Sequence, residues 1–168
     1  MPDLQRLRPD HEGAVLAFER ANRGYFAATI SDRGDEFFEN YPERHRALLD
    51  EQRAGKRAFY VLVADDGAII GRFNLVFVEK GVAEVGYRVA ERVAGEGVAT
   101  AGVGELCRLA ASCHGVGILR AATSSENVAS QKVLLKAGFI PIGPADPSEL
   151  GGREGCWYQR NLTDSGAS

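Results

Sequence analysis

The stretch from residue 58 to residue 90 restricts this chain more than any other, because it is written in period two and is rich in β-branched and aromatic side chains. Alternation of this kind sets one face of a strand toward a core and the other away from it. Asp65-Asp66-Gly67 and Lys80-Gly81 interrupt the pattern with residues suited to tight turns. The segment therefore predicts three strands, 58–64, 68–79 and 83–90, joined as an antiparallel meander.

Helical spacing stands on both sides of it. Ahead lie a short strand at 4–7 and two helical stretches, 11–22 and 35–53. Phe38, Tyr41, Leu48 and Leu49 mark the apolar face of the second, with an interruption at Pro42. Behind it, 97–114 reads as a helix with Val103, Leu106 and Ala110 on one face. Gly102 and Gly104 each cost that helix about 1 kcal/mol relative to Ala, which points to close approach of a sheet or a ligand. A strand at 118–123, a helix at 127–137 ended by Gly138, and strands at 139–142 and 156–162 complete the chain, with a Pro/Gly-rich loop at 144–155 between the last two. The order is mixed α/β: a meander feeding a helical crossover into further strands.

A length of 168 residues with 45% apolar content suits one domain, 1–162, followed by a polar tail, 163–168, expected to be disordered. The longest apolar run, 58–64, is far too short to span a bilayer, and the N-terminus shows no basic-then-apolar leader, so a cytoplasmic protein is expected. With 23 acidic against 20 basic residues the net charge is -3, which lacks the basic excess of a nucleic-acid binder. A polyanionic ligand must then be held by local backbone geometry. Cys107, Cys113 and Cys156 fit neither a disulfide framework nor a zinc site and are read as reduced, buried small residues. His11, His45 and His114 have no metal spacing and are assigned no chemistry.

Arg92-Val-Ala-Gly95-Glu-Gly97-Val98-Ala99-Thr100 leaves a predicted strand and opens a predicted helix. Free N–H groups and the positive dipole end of a helix start attract an anion, and glycines let a phosphate approach the backbone. The Gly-Lys-Ser/Thr of a Walker loop is missing, and Thr100 stands where a dinucleotide fingerprint wants Gly or Ala. Thirty residues beyond Gly97 comes Asn127-Val-Ala-Ser130-Gln-Lys-Val-Leu134-Leu-Lys-Ala-Gly138-Phe139, a distance that one helix and one strand fill.

These two motifs in this order resemble the GNAT acyltransferase superfamily, in which an Arg/Gln-x-x-Gly-x-Gly/Ala loop precedes a strand and then a helix running from Asn to Gly-Phe. Ala83-Glu84-Val85-Gly86-Tyr87 before the loop, and Ser130 after Asn127, resemble the RimJ/RimL-type ribosomal-protein N-acetyltransferase branch. The resemblance implies a central, mostly antiparallel twisted sheet flanked by helices and splayed between the fourth and fifth strands. It implies acetyl-CoA as acyl-donor cosubstrate, no metal, an amine acceptor, and it allows a homodimer. It assigns Tyr87 and Val89 backbone groups and Asn127 to the pantetheine arm, and Gly95, Gly97, Val98, Ala99 and Thr100 to the pyrophosphate. Arg92 becomes a phosphate or loop-ordering partner, and Glu84 the group that orients the amine. Many relatives carry a Tyr where Leu134 stands, as an acid for the departing thiolate; here Ser130 is the nearby hydroxyl and takes the sulfur contact. The implied reaction is direct attack of a neutral amine on the thioester, with a backbone N–H near Val89, on a strand bulged there, stabilising the oxyanion. An α-amine of a peptide or protein N-terminus is the expected acceptor. A small amine such as an antibiotic or polyamine, and a CoA-binding module without catalysis, are the alternatives. The resemblance gives acceptor recognition to the N-terminal helices and the 144–155 loop.

Overall fold

The computed structural model describes residues 3–163. The tail expected at 163–168 therefore lies, apart from Thr163, outside the described residues.

Seven strands form one sheet in the order β1-β2-β3-β4-β5-β7-β6. They are β1 (Asp3–Arg6), β2 (Arg57–Val63), β3 (Ile69–Glu79), β4 (Val82–Val89), β5 (Ile118–Ser124), β6 (Ile140–Ala145) and β7 (Gly155–Asn161). The meander β2-β3-β4 is antiparallel as its alternation predicts, and every other pairing is antiparallel except β4 with β5. That one parallel pair requires a crossover, which α5 (Val98–His114) supplies.

The sheet is covered on both faces. Arg72 on β3 reaches Glu19 of α1 (Glu12–Ala21), whereas its neighbour Phe73 meets Gly102 of α5. Successive strand residues point to opposite faces, so α1 and α5 lie on opposite sides. A side chain at Gly102 would begin 2.2 Å from the Phe73 ring, which accounts for the glycine inside this helix. Phe73, Leu75, Leu106, Leu119 and Phe139 are fully enclosed in the resulting core.

Three local expectations are corrected. The 35–53 stretch breaks at Asn40 into α3 (Asp35–Glu39) and α4 (Tyr41–Arg53), and Pro42 sits in the first turn of α4, where its missing N–H costs nothing. A further short helix, α2 (Arg23–Ala27), follows α1, and a 3₁₀ turn (Pro147–Leu150) organises the expected loop. Of the three free cysteines only Cys107 is buried; Cys156 is half-buried and Cys113 exposed, because the last turn of α5 carries Cys113 past the core. The histidines all have structural partners. His45, for example, donates from Nε2 to the Arg8 carbonyl at 2.9 Å and accepts the Tyr41 hydroxyl at Nδ1.

Candidate functional site

β4 and β5 run side by side only where Val82–Glu84 meets Ile118–Arg120. Beyond Glu84, β4 continues to Val89 with β3 as its only partner among the described residues, while β5 continues to Ser124 paired with β7. The two strands part, as the resemblance implies, and the side of β4 that faces the opening keeps unpaired backbone groups. The bulge expected near Val89 is not found. Pairing with β3 runs in register up to Val89, and the irregularity lies at Phe77–Glu79, at the far end of the strand. The splay alone exposes the backbone here.

Two cavities of about 450 and 290 Å³ open into this wedge, and Thr29, Ile30, Tyr87, Asn127 and Ser130 line both of them. The smaller runs along the glycine loop, past Val89, Gly95, Gly97, Val98, Ala99 and Thr100. Gly97 caps α5 with φ of 79°, and Gly95 has φ of 80°, a left-handed backbone that costs other residues about 1–2 kcal/mol. The first bond of this helix is from the Ala101 N–H to the Gly97 carbonyl, so the N–H groups of Val98, Ala99 and Thr100 have no helical acceptor. Lys132 and Lys136, one turn apart on α6 (Val128–Lys136), line the same cavity and supply the cationic charge that overall composition hides. Sequence reasoning passed over this pair, though its i,i+4 spacing on the helix of the second motif was a usable signal. Arg92 is exposed on the short turn before the loop, and its side chain lines neither cavity.

Where the cavities meet, Tyr87 and Ser130 face one another, with Tyr87 Oη 2.9 Å from Ser130 Oγ. Asn127 is the N-cap of α6, its side-chain oxygen accepting the Ser130 N–H at 3.1 Å, which fixes Ser130 in the first turn. Asn127 lines both cavities, and its amide nitrogen takes no part in the cap. Burial pushes the Tyr87 phenol up to about 12, with Ser130 opposing the shift, so it stays protonated at neutral pH. Leu134, one turn beyond Ser130, is buried against the larger cavity and offers no donor.

The larger cavity is bounded by Thr29, Ile30 and Ser31 after α2, by Ala121 to Ser124 of β5, and by Glu149 to Gly151 and Arg153. The first and last of these segments touch, since a side chain placed at Gly151 would begin 2.3 Å from Ser31 Oγ. The first segment is tethered by two arginines. Arg23 donates to Asp32 and Asp35, and Arg33 to the buried Glu19, which also accepts from Arg72 and Arg88. Burial alone would raise the Glu19 carboxyl, but Arg33, Arg72 and Arg88 overcome it and hold it below the usual range. Glu84 lies beside Arg120 in the β4–β5 register, on the face of β4 that carries Arg88, and lines neither cavity. Burial raises its carboxyl, Glu149 raises it further, and Arg120 works against both. Glu149 borders the cavity itself, and nothing in its local sequence singled it out.

A parted strand pair with free N–H groups at a helix start on one side and a second cavity on the other suits an acyl-CoA-dependent transferase, and the model of the acetyltransferase (GNAT) domain family matches residues 4–140. The chain belongs to that family: it is an acetyl-CoA-dependent N-acetyltransferase. Its fold is shared with a ribosomal-protein-S5-alanine acetyltransferase from Vibrio fischeri, at 19% identity and TM-score 0.87 over 96% of this chain and 93% of that one. RimJ from Mycobacterium smegmatis, solved with CoA-disulfide, aligns at 22% identity and TM-score 0.85 over 96% and 82% of the two chains. A Vibrio cholerae spermidine N-acetyltransferase, solved with CoA and spermine, aligns at 14% and 0.80 over 96% of each. Identities this low establish the shared fold and leave the acceptor open. No curated protein matches the sequence. No helix among the described residues is long and apolar enough to cross a membrane.

Proposed function

We propose that this enzyme transfers the acetyl group of acetyl-CoA to the α-amine of a protein or peptide N-terminus by direct attack. The observation that carries the reading is the meeting of two cavities at Tyr87 and Ser130, which lets donor and acceptor enter from different sides. On the donor side, the pyrophosphate rests on the N–H groups of Gly95 and of Gly97 to Thr100, with Lys132 and Lys136 adding charge. The pantetheine arm follows the unpaired side of β4 from Val89 to Tyr87 and meets the Asn127 amide. The thioester sulfur then lies at Ser130, whose hydroxyl donates to it as the carbon–sulfur bond breaks. Free thiols have a pKa near ~8.5, so the thiolate is a tolerable leaving group with one hydrogen bond in place of a tyrosine acid. Both substrates bound together supply much of the rate through positioning.

On the acceptor side, Glu149 borders the cavity, and Glu84 is near enough to it for the two charges to interact. Glu149 orients an incoming amine from the cavity wall, and Glu84, which lines neither cavity, acts through water. Deprotonating a lysine amine of pKa ~10.4 at pH 7 costs about 4.6 kcal/mol, against about 1 to 1.4 kcal/mol for an α-amine of pKa ~7.7 to 8.0. Glu149 is the one carboxylate lining the larger cavity, with Arg153 near it, and so little basic equipment suits the cheaper acceptor. Glu149 and Glu84 favour a second reading, a small polyamine held by its remaining ammonium groups.

Paired peptides test the choice, one with a free N-terminus and blocked lysine, the other reversed, with spermidine as a third acceptor. Acetylation at the free N-terminus, located by mass spectrometry, is expected. Modification confined to lysine, or rapid turnover of spermidine with both peptides untouched, rejects the α-amine reading. Unchanged turnover in Glu84→Gln removes Glu84 from the chemistry.

A further inference from the structure

We infer that Tyr87 is a positioning residue for the leaving group: its phenol donates to Ser130 Oγ and thereby turns the serine proton toward the thioester sulfur. The inference rests on the reading that Ser130 serves the sulfur and adds the group that makes it a donor. A serine hydroxyl rotates freely and both gives and accepts. Ser130 Oγ has Tyr87 as its one side-chain partner among the described residues, at 2.9 Å. The phenol has one proton to give, and its other acceptor in reach, the Ser130 carbonyl oxygen, lies at 3.4 Å, longer than an ordinary O–H···O bond, so the proton goes to Oγ at 2.9 Å. Once the phenol occupies an Oγ lone pair, the remaining hydroxyl proton points away from Tyr87, into the space that both cavities share.

The phenol is itself held in place. Its ring stacks on Phe73 at 5.9 Å and 12°, and Phe73 is jammed against Gly102. Burial keeps the phenol protonated, so it acts as a donor throughout the cycle. In the reaction the amine nitrogen bonds to the acetyl carbon, the carbon–sulfur bond breaks, and its electron pair goes to sulfur. The Ser130 O–H then stabilises that thiolate by hydrogen bonding. The nitrogen's surplus proton leaves to solvent, and Tyr87 loses none.

The bound CoA thiol is a direct probe and requires no acceptor. Its ionisation is followed by ultraviolet thiolate absorbance across pH in wild type, Tyr87→Phe, Ser130→Ala and the double variant, after calorimetry has verified that each still binds CoA. Arg88, Lys132 and Lys136 are the charged side chains lining the smaller cavity and Glu149 and Arg153 those lining the larger, and all are common to the four proteins. Both single variants are expected to lose bound thiolate several-fold at a given pH, with no further loss in the double. Wild-type ionisation in Tyr87→Phe, while Ser130→Ala shifts, overturns the inference and spares Ser130. A Tyr87→Phe shift that persists undiminished without the serine also overturns it. No shift in Ser130→Ala removes the serine from the sulfur and the inference with it.

Discussion

Two glycines of α5, two residues apart, should respond in opposite directions to the same substitution. Gly102 and Gly104 both lie in the helix interior, and replacing either with Ala relieves a backbone entropy cost of about 0.5–1 kcal/mol. At Gly104 nothing stands within 4 Å of the new Cβ, so Gly104→Ala should keep that gain. At Gly102 the Cβ would stand 2.2, 2.6 and 2.9 Å from three atoms of the Phe73 ring, and the ring must retreat by more than an ångström to restore ordinary contact. It has little room to move. Phe73 is fully buried, and Tyr87 stacks on it. Overpacking of this kind costs about 1–3 kcal/mol and can cost more, which exceeds the propensity gain. Gly102→Ala should therefore lower stability by about 1–2 kcal/mol. With about 2–4 °C per kcal/mol for a chain of this size, the two variants should melt several degrees apart on either side of wild type. Urea unfolding with matched m-values gives the free energies, and turnover gives the second readout, since a displaced Phe73 tilts Tyr87 away from Ser130. Equal shifts for the two variants would refute the packing argument.

Gly97→Glu should abolish CoA binding in calorimetry, because it strains the left-handed helix cap and sets a negative charge where we propose the pyrophosphate rests; full retained affinity would move the phosphate site elsewhere. Glu19→Gln should cost about 3–5 kcal/mol at neutral pH, since it leaves Arg72 and Arg88 buried without their counter-charge. Glu19 is held below the ordinary carboxylate range, so its contribution is complete above that range and is lost as pH falls through its lowered folded value; the stability gap between wild type and variant should close on acidification. A gap independent of pH in urea titrations would assign the loss to packing instead.

The sequence by itself determined the strands and their neighbours wherever the cause is local. Alternation over 58–90 and two turn signals yield β2-β3-β4 in register, and the period of 97–114, the Asn127 cap and Gly138 bound α5 and α6 to within a residue or two. The glycine loop was legible for the same reason, since a helix start with positive-φ glycines is a property of a few consecutive residues. Tertiary structure decided what depends on residues far apart in the chain. That Tyr87 hydrogen-bonds Ser130 across 43 positions, that Lys132 and Lys136 line one cavity with the loop at Gly95, and that Glu149 comes near enough to Glu84 to raise its carboxyl follow from where β4 and β5 part. The absent bulge at Val89 has the same origin, because pairing with β3 remains unbroken there and the opening comes from the departure of β5. Periodicity reports which face of an element is buried. It carries no information on which distant element covers that face, and the site is made of those distant contacts.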